Sequence, residues 1–312
     1  MVADGVRCHY LEAGADAAGA DGTPLLLLHG TAIDSAALSY GPSLPRLAEQ
    51  RRVIALDWPG YGTSERAAGH LTGDDHVAHV GAFLDAMGVR RAHLAGFSMG
   101  GAAALGFALN APDRVASLTL IGSYGLDPQL PVPLLPYLAL RAPVLTRGVI
   151  WALRRSRILT RLALARVVFA RPRSVTPQLV DEVHQQLRLP EAERSFVAWL
   201  RGELRPFTLG TSFAERLPEI RVPTLFLHGR GDRVVPCSKA ERAHALVADA
   251  RLVAIDHCGH WVTREAPDTF RAELLAFTRA QDDAQAVRRA PATPGRSAAA
   301  RACVRTSARR RR

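Results

Sequence analysis

Nowhere in the 312 residues do enough apolar side chains follow one another for a conventional membrane span, which needs about 18 or more. The start, Met1-Val2-Ala3-Asp4-Gly5, lacks a basic segment followed by an apolar stretch, so no secretory leader is expected. Cysteine is scarce: Cys8, Cys237, Cys258 and Cys303 form no CxxC pair and no zinc-binding spacing. This pattern gives no reason to expect a metal and suits a reduced, cytoplasmic setting. What is abundant is apolar surface, 48% of the residues, enough for a sizeable folded core.

The net charge of +11 raises the question of nucleic acid, and its distribution answers it. From Gln281 onward there are nine Arg against Asp282 and Asp283, so this end carries seven of the eleven net charges. Ala, Pro, Ser and Thr fill the gaps, with few large apolar groups to repay the entropy of ordering. Residues 281 to 312 therefore read as a disordered basic tail. It has almost no aromatic platform on which bases stack, and no reading motif precedes it, so no specific nucleic-acid partner is expected.

Four continuous apolar runs organise the first part of the chain: Pro24 to Leu28, Arg52 to Leu56, Ala92 to Gly96, and Val115 to Ile121. Unbroken rather than alternating apolarity suits strands buried on both faces of a parallel sheet. Between the second and third, Val77, Val80, Phe83, Leu84 and Met87 repeat with helical spacing. Two further runs, Val222 to Gly229 and Ala250 to Ile255, precede an amphipathic helix expected over 267 to 280. Strand and helix alternate, which predicts an α/β fold with helices on both sheet faces. Residues 124 to 217 differ: four prolines open the stretch, helix-like segments follow, and no strand run interrupts them. The expected organisation is a core over 1 to 123, a helical insertion over 124 to 217, and a core again over 218 to 280. Within the insertion, nine Arg and no acid lie between Arg141 and Arg173, interleaved with large apolar residues. The arrangement reads first as an amphipathic lid with a solvated basic face, and is also compatible with attraction of anionic substrates or weak attachment to a membrane surface.

The segment Gly96-Phe97-Ser98-Met99-Gly100-Gly101 follows a predicted strand and precedes a predicted helix. A serine at such a strand-to-helix turn is thrust above the sheet, and small residues on either side permit the tight turn. A serine hydroxyl needs a base to take its proton. His260 is preferred because Gly259 lets the loop turn it inward; His257 is the rival. The base in turn needs a carboxylate to fix its tautomer. Asp232 is preferred, at the exit of another strand, and Asp256 is the rival. Acyl transfer also requires donors for the developing oxyanion, and the N–H groups of Met99 and Thr31 are the candidates, with Ala32 as the alternative to Thr31. Phe97, Trp58, Tyr61 and Trp261 are expected to line the mouth of the site.

These motifs, His29-Gly30, Asp57-Trp58-Pro59-Gly60-Tyr61-Gly62-Thr63-Ser64, Gly96 to Gly101 and Gly229 to Pro236, resemble the α/β-hydrolase superfamily over nearly all of residues 20 to 280. The resemblance implies a mostly parallel eight-stranded sheet flanked by helices, with residues 124 to 217 as a helical cap, and cofactor-free catalysis. Cys258-Gly259-His260-Trp261 is similar to hydrolases that cleave carbon–carbon bonds in vinylogous 1,5-diketones from aromatic ring fission. Those enzymes usually carry Asn before the nucleophile, where this chain has Phe97. That residue looks instead like esterases and the cofactor-free haloperoxidase or perhydrolase group, and similar elbows and caps occur in monoacylglycerol lipases. The expectation is a serine hydrolase of a small carboxylic ester, with carbon–carbon cleavage and perhydrolysis as alternatives. A receptor built on the same fold is the non-enzyme alternative.

Overall fold

The computed structural model describes residues 1–16, 22–67, 72–127, 138, 142–205 and 208–289. Seven strands form one sheet: β1 (Tyr10–Ala13), β2 (Leu25–Leu28), β3 (Val53–Leu56), β4 (Ala92–Phe97), β5 (Val115–Ile121), β6 (Thr224–Gly229) and β7 (Ala250–Ile255). Their spatial order is β7-β6-β5-β4-β2-β3-β1, parallel throughout except where β1 runs against β3. The unbroken apolar runs are the strands expected. All four leucines of β2 have no exposed surface, each worth roughly 2 kcal/mol on burial.

Among the described residues the count is seven rather than the eight expected. Val2–Ala3 and Val6–Arg7 pair only with each other, because Asp4 and Gly5 turn the chain through two left-handed residues after a two-residue strand. Helices α1 (Gly73–Ala86) and α2 (Met99–Asn110) cover the sheet between β3 and β5. The α1 start is fixed by a capping box in which the Thr72 side chain accepts from the Asp75 N–H, and Asp75 accepts from the Thr72 N–H.

The insertion holds α3 (Pro143–Arg155), α4 (Arg157–Ala163), a π-helical turn over Leu164–Val168, α5 (Pro177–Leu187) and α6 (Pro190–Glu203). It is not wholly helical: Leu204–Arg205 and Thr208–Leu209 form a small antiparallel hairpin. After β6 comes α7 (Cys237–His244), and the last helix, α8 (Pro267–Arg289), packs on the sheet through Phe270 and Leu274.

The end of α8 corrects the boundary of the expected basic tail. Residues 281 to 289 are helical because Asp282 has partners beneath the sheet. Its carboxylate lies 2.9 Å from His93 Nε2 and 3.1 Å from Arg51 Nη1. The expectation for the rest of the tail falls on residues 290–312, and that for Cys303 with it, outside the described residues.

Candidate active site

Ser98 sits between β4 and α2 with φ +52° and ψ −111°, a backbone conformation that L residues rarely adopt. Two close approaches make the turn possible. A Cβ on Gly96 would stand 2.2 Å from the Gly100 carbonyl oxygen, and one on Gly100 would stand 2.2 Å from that of Leu28. Only glycine fits either place. The Ser98 N–H donates to the Ile121 carbonyl at 2.9 Å, tying the turn to β5.

From the other half of the core, His260 brings Nε2 within 3.1 Å of Ser98 Oγ and Nδ1 within 2.8 Å of Asp232 Oδ2. The remaining carboxylate oxygen, Oδ1, accepts the N–H groups of Val234 and Val235, both at 2.8 Å. All three side chains are buried. Burial alone would raise the Asp232 pKa, but His260 and His228 outweigh it and hold the group far below the usual carboxylate range. The rivals are elsewhere: His257 is an exposed left-handed turn residue, and Asp256 pairs with Arg230 at 2.9 Å on the surface.

The histidine loop is also gripped by the insertion. The His260 N–H donates to Val168 O at 2.7 Å, at the end of the π-helical turn. Buried Glu265 accepts from the N–H groups of Gly259 at 2.7 Å, Ala170 at 3.1 Å and Arg171 at 2.7 Å. Neither Glu265 nor His228 belongs to a local motif, and sequence reasoning passed over both. His228 Nε2 bonds the Val235 carbonyl at 2.8 Å and lies 3.2 Å from Asp232 Oδ2. A histidine four residues before the acid was the available signal.

On the opposite side of Ser98, Met99 opens α2, so its N–H belongs to the first helical turn, where no intrahelical carbonyl is available. Thr31 follows Gly30, whose N–H donates to buried Asp34 at 2.8 Å. The Thr31 hydroxyl is already engaged with the Tyr61 hydroxyl at 2.9 Å, and Ala32 takes a positive φ of +69°. Asp34 also accepts from Ser39 Oγ, and Ser39 Oγ accepts from the indole N–H of Trp261 at 2.9 Å. Burial raises the Asp34 pKa in spite of these donors.

Of the four aromatic residues expected at the mouth, Phe97 and Trp261 do form a wall beside the relay. The Phe97 ring centre is 4.9 Å from that of His260 and 6.4 Å from that of Trp261, the Phe97 and Trp261 rings being nearly parallel. Tyr61 faces a cleft between the loop after β3 and α6, lined also by Arg66, His76, Ser195 and Trp199. Trp58 is misplaced by the sequence reading: it is wholly buried, donating its indole N–H to the His29 carbonyl at 2.9 Å. An indole inside the core with its one donor satisfied there packs beneath the loop that begins at His29 and does not line the mouth. Buried Cys258 is inert, its thiol pushed up to about 12 by desolvation.

A strained serine at a strand-to-helix turn, a histidine within reach and a carboxylate behind it are the equipment of nucleophilic acyl chemistry. With this fold they define a serine hydrolase. The chain belongs to the alpha/beta hydrolase fold family, whose model matches residues 23–267. It is 31% identical over 293 residues to the 2-hydroxymuconate semialdehyde hydrolase of Pseudomonas sp. (strain CF600), covering 92% of this chain and 95% of that one. Among solved structures it resembles the meta-cleavage product hydrolase of Pseudomonas fluorescens IP01, with TM-score 0.75, 26% identity and coverage of 90% and 97%. A serine hydrolase involved in carbazole degradation is similar at TM-score 0.71 and 27% identity, over 89% and 96% of the two chains.

Proposed function

We propose that the chain hydrolyses the carbon–carbon bond beside a ketone in a vinylogous diketone of the kind produced by aromatic ring fission, with Ser98 as nucleophile. The geometry that carries the proposal is the Ser98–His260–Asp232 relay, at 3.1 and 2.8 Å. The whole-length likeness to a 2-hydroxymuconate semialdehyde hydrolase supplies the substrate class.

In this reading His260 takes the Ser98 proton as Oγ adds to the carbonyl, and the N–H groups of Met99 and Thr31 receive the oxyanion. Collapse expels a carbon leaving group that the conjugated system stabilises as a dienolate, and His260 returns the proton to it. Water then releases the acid from Ser98, with His260 as base. Arg66 beside the Tyr61 cleft supplies a cation for a substrate carboxylate, and His76 in the same cleft supplies a buried acceptor for a hydroxyl.

Phe97 favours a second reading. Its ring stands against His260 and, with Trp261, makes an apolar wall better matched to the acyl or alkoxy part of a simple ester than to an ionised dienoate. The same relay cleaves an ester, with an alkoxide leaving instead of a dienolate. Parallel assays of wild type and Ser98→Ala on a ring-fission dienoate and on p-nitrophenyl esters of graded acyl length separate the two. Dienoate turnover well above ester turnover, lost in Ser98→Ala, is the expected result. Ester turnover with a negligible dienoate rate transfers the assignment to the second reading.

A further inference from the structure

On α3, α4 and the π-helical turn, the outer face of the insertion carries apolar side chains that soluble surfaces normally hide. Val144 is 81% exposed, Ile158 73% and Trp151 59%, with Leu145, Val149, Leu159, Leu162 and Val167 also exposed. The opposite side of the same helices is committed inward through Ile150, Thr160 and Leu164. Interleaved with the apolar groups are Arg155, Arg161, Arg166 and Arg173, none of which meets a carboxylate among the described residues. Arg155 lies over the Trp151 ring, its guanidinium carbon 5.2 Å from the ring centre. From Pro143 to Arg173 there is no Asp or Glu.

We propose that this face docks on an anionic phospholipid surface, with Trp151, Val144 and Ile158 entering the headgroup boundary and the four arginines meeting lipid phosphates. Charge decides the occupant. A second copy docking through the same patch would set these arginines against their own equivalents, since the acids that α5 and α6 bring to these helices, Asp181 and Glu193, already pair with Arg157, Arg147 and Arg154. An anionic bilayer instead offers negative charge and an apolar layer together. Among the described residues no helix is long and apolar enough to cross a membrane, so the contact is one of surface attachment. The site at Ser98 is not part of this surface, and the inference stands apart from the choice of substrate.

Trp151 is itself the reporter. Trp58 and Trp261 are buried and Trp199 is half-buried, so Trp151 is the one strongly exposed indole of the four. The full-length protein is mixed with vesicles of phosphatidylcholine alone or of phosphatidylcholine and phosphatidylglycerol in equal parts, with and without brominated acyl chains. Expected are a blue shift and bromine quenching on the anionic vesicles only. Trp151→Phe abolishes both optical signals while sedimentation with the vesicles persists. Val144→Ser combined with Ile158→Ser reduces partition by about tenfold or more, leaving turnover of a soluble substrate unchanged.

Four results overturn the proposal. One is the absence of sedimentation. A second is sedimentation without Trp151 quenching, which assigns binding to the basic residues after Arg289. A third is a dimer that dissociates in the serine double variant. The last is a loss of thermal stability in that variant, which shows the face to be covered by another part of the same chain.

Discussion

Replacing Asp232 by Asn tests the relay without changing its shape. In the native site Oδ1 accepts two backbone N–H groups, from Val234 and Val235, while Oδ2 faces His260 Nδ1. An asparagine must leave its carbonyl oxygen where those two donors are, since turning the amide would set NH2 against both. The NH2 therefore falls where Oδ2 was, opposite Nδ1. Two donors cannot share that contact, and His260 shifts to the tautomer that carries its proton on Nε2. That nitrogen, 3.1 Å from Ser98 Oγ, can then no longer accept the hydroxyl proton. The wrong tautomer in such a relay costs about 10⁴ in kcat, or roughly 5 kcal/mol of transition-state stabilisation. Steady-state kinetics of Asp232→Asn on the best substrate at neutral pH, with circular dichroism to confirm folding, measures it. A folded variant within tenfold of wild type refutes the assignment of Asp232 as the orienting acid.

Three further outcomes follow from the rest of the structure. His79, buried beside Cys8 with its ring nitrogen 3.4 Å from the thiol sulfur, has its pKa lowered from 6.5 to about 4, mainly by desolvation. The unfolded chain therefore binds this proton first as pH falls. Stability is full above pH ~6.5 and decreases downward until the folded value is reached. Urea unfolding should lose about 2 kcal/mol from this group between pH 7 and pH 5, a slope that His79→Gln removes. Gly100→Ala places a Cβ 2.2 Å from the Leu28 carbonyl oxygen, against strand backbone that has no room to yield. It should lower stability by about 3 kcal/mol, read by thermal unfolding. Truncation after Arg289 should leave unfolding and turnover unchanged. Truncation after Ala280 removes the Asp282 carboxylate from His93 and Arg51 and should cost about 1–2 kcal/mol, discounted because Asp282 is partly exposed.

Six of the seven strands were legible because continuous apolar runs admit few other readings, and β5 and β7 occupy the residues expected of them, whereas β1, at the sheet edge with Glu12 exposed, has no such run and was not expected. That Ser98, Asp232 and His260 would meet was legible because each stands in a turn after a strand with glycine within two residues, where the fold delivers side chains to one edge. The supports were not. Glu265 and Asp34 act through backbone N–H groups, Glu265 on the insertion and its own loop and Asp34 within its own loop, and a carboxylate that binds main chain leaves no residue pattern behind. Trp58 was misread because its motif position fixes which loop it occupies, not which way the indole turns. Asp282 was misread because local composition suggested disorder, while the partners that order it, His93 and Arg51, lie far away in sequence. The exposed face of α3 and α4 was visible as alternating arginine and apolar residues, but only the packing shows which apolar groups face outward.

The account rests on Ser98 as an activated nucleophile, and a serine-directed fluorophosphonate tests that most directly, with intact-mass and peptide analysis after brief exposure at neutral pH. Wild type should gain one adduct per chain, on the peptide containing Ser98. Ser98→Ala should gain none, and His260→Ala should react far more slowly. Equal labelling of wild type and Ser98→Ala, or an adduct on any other residue, would contradict it.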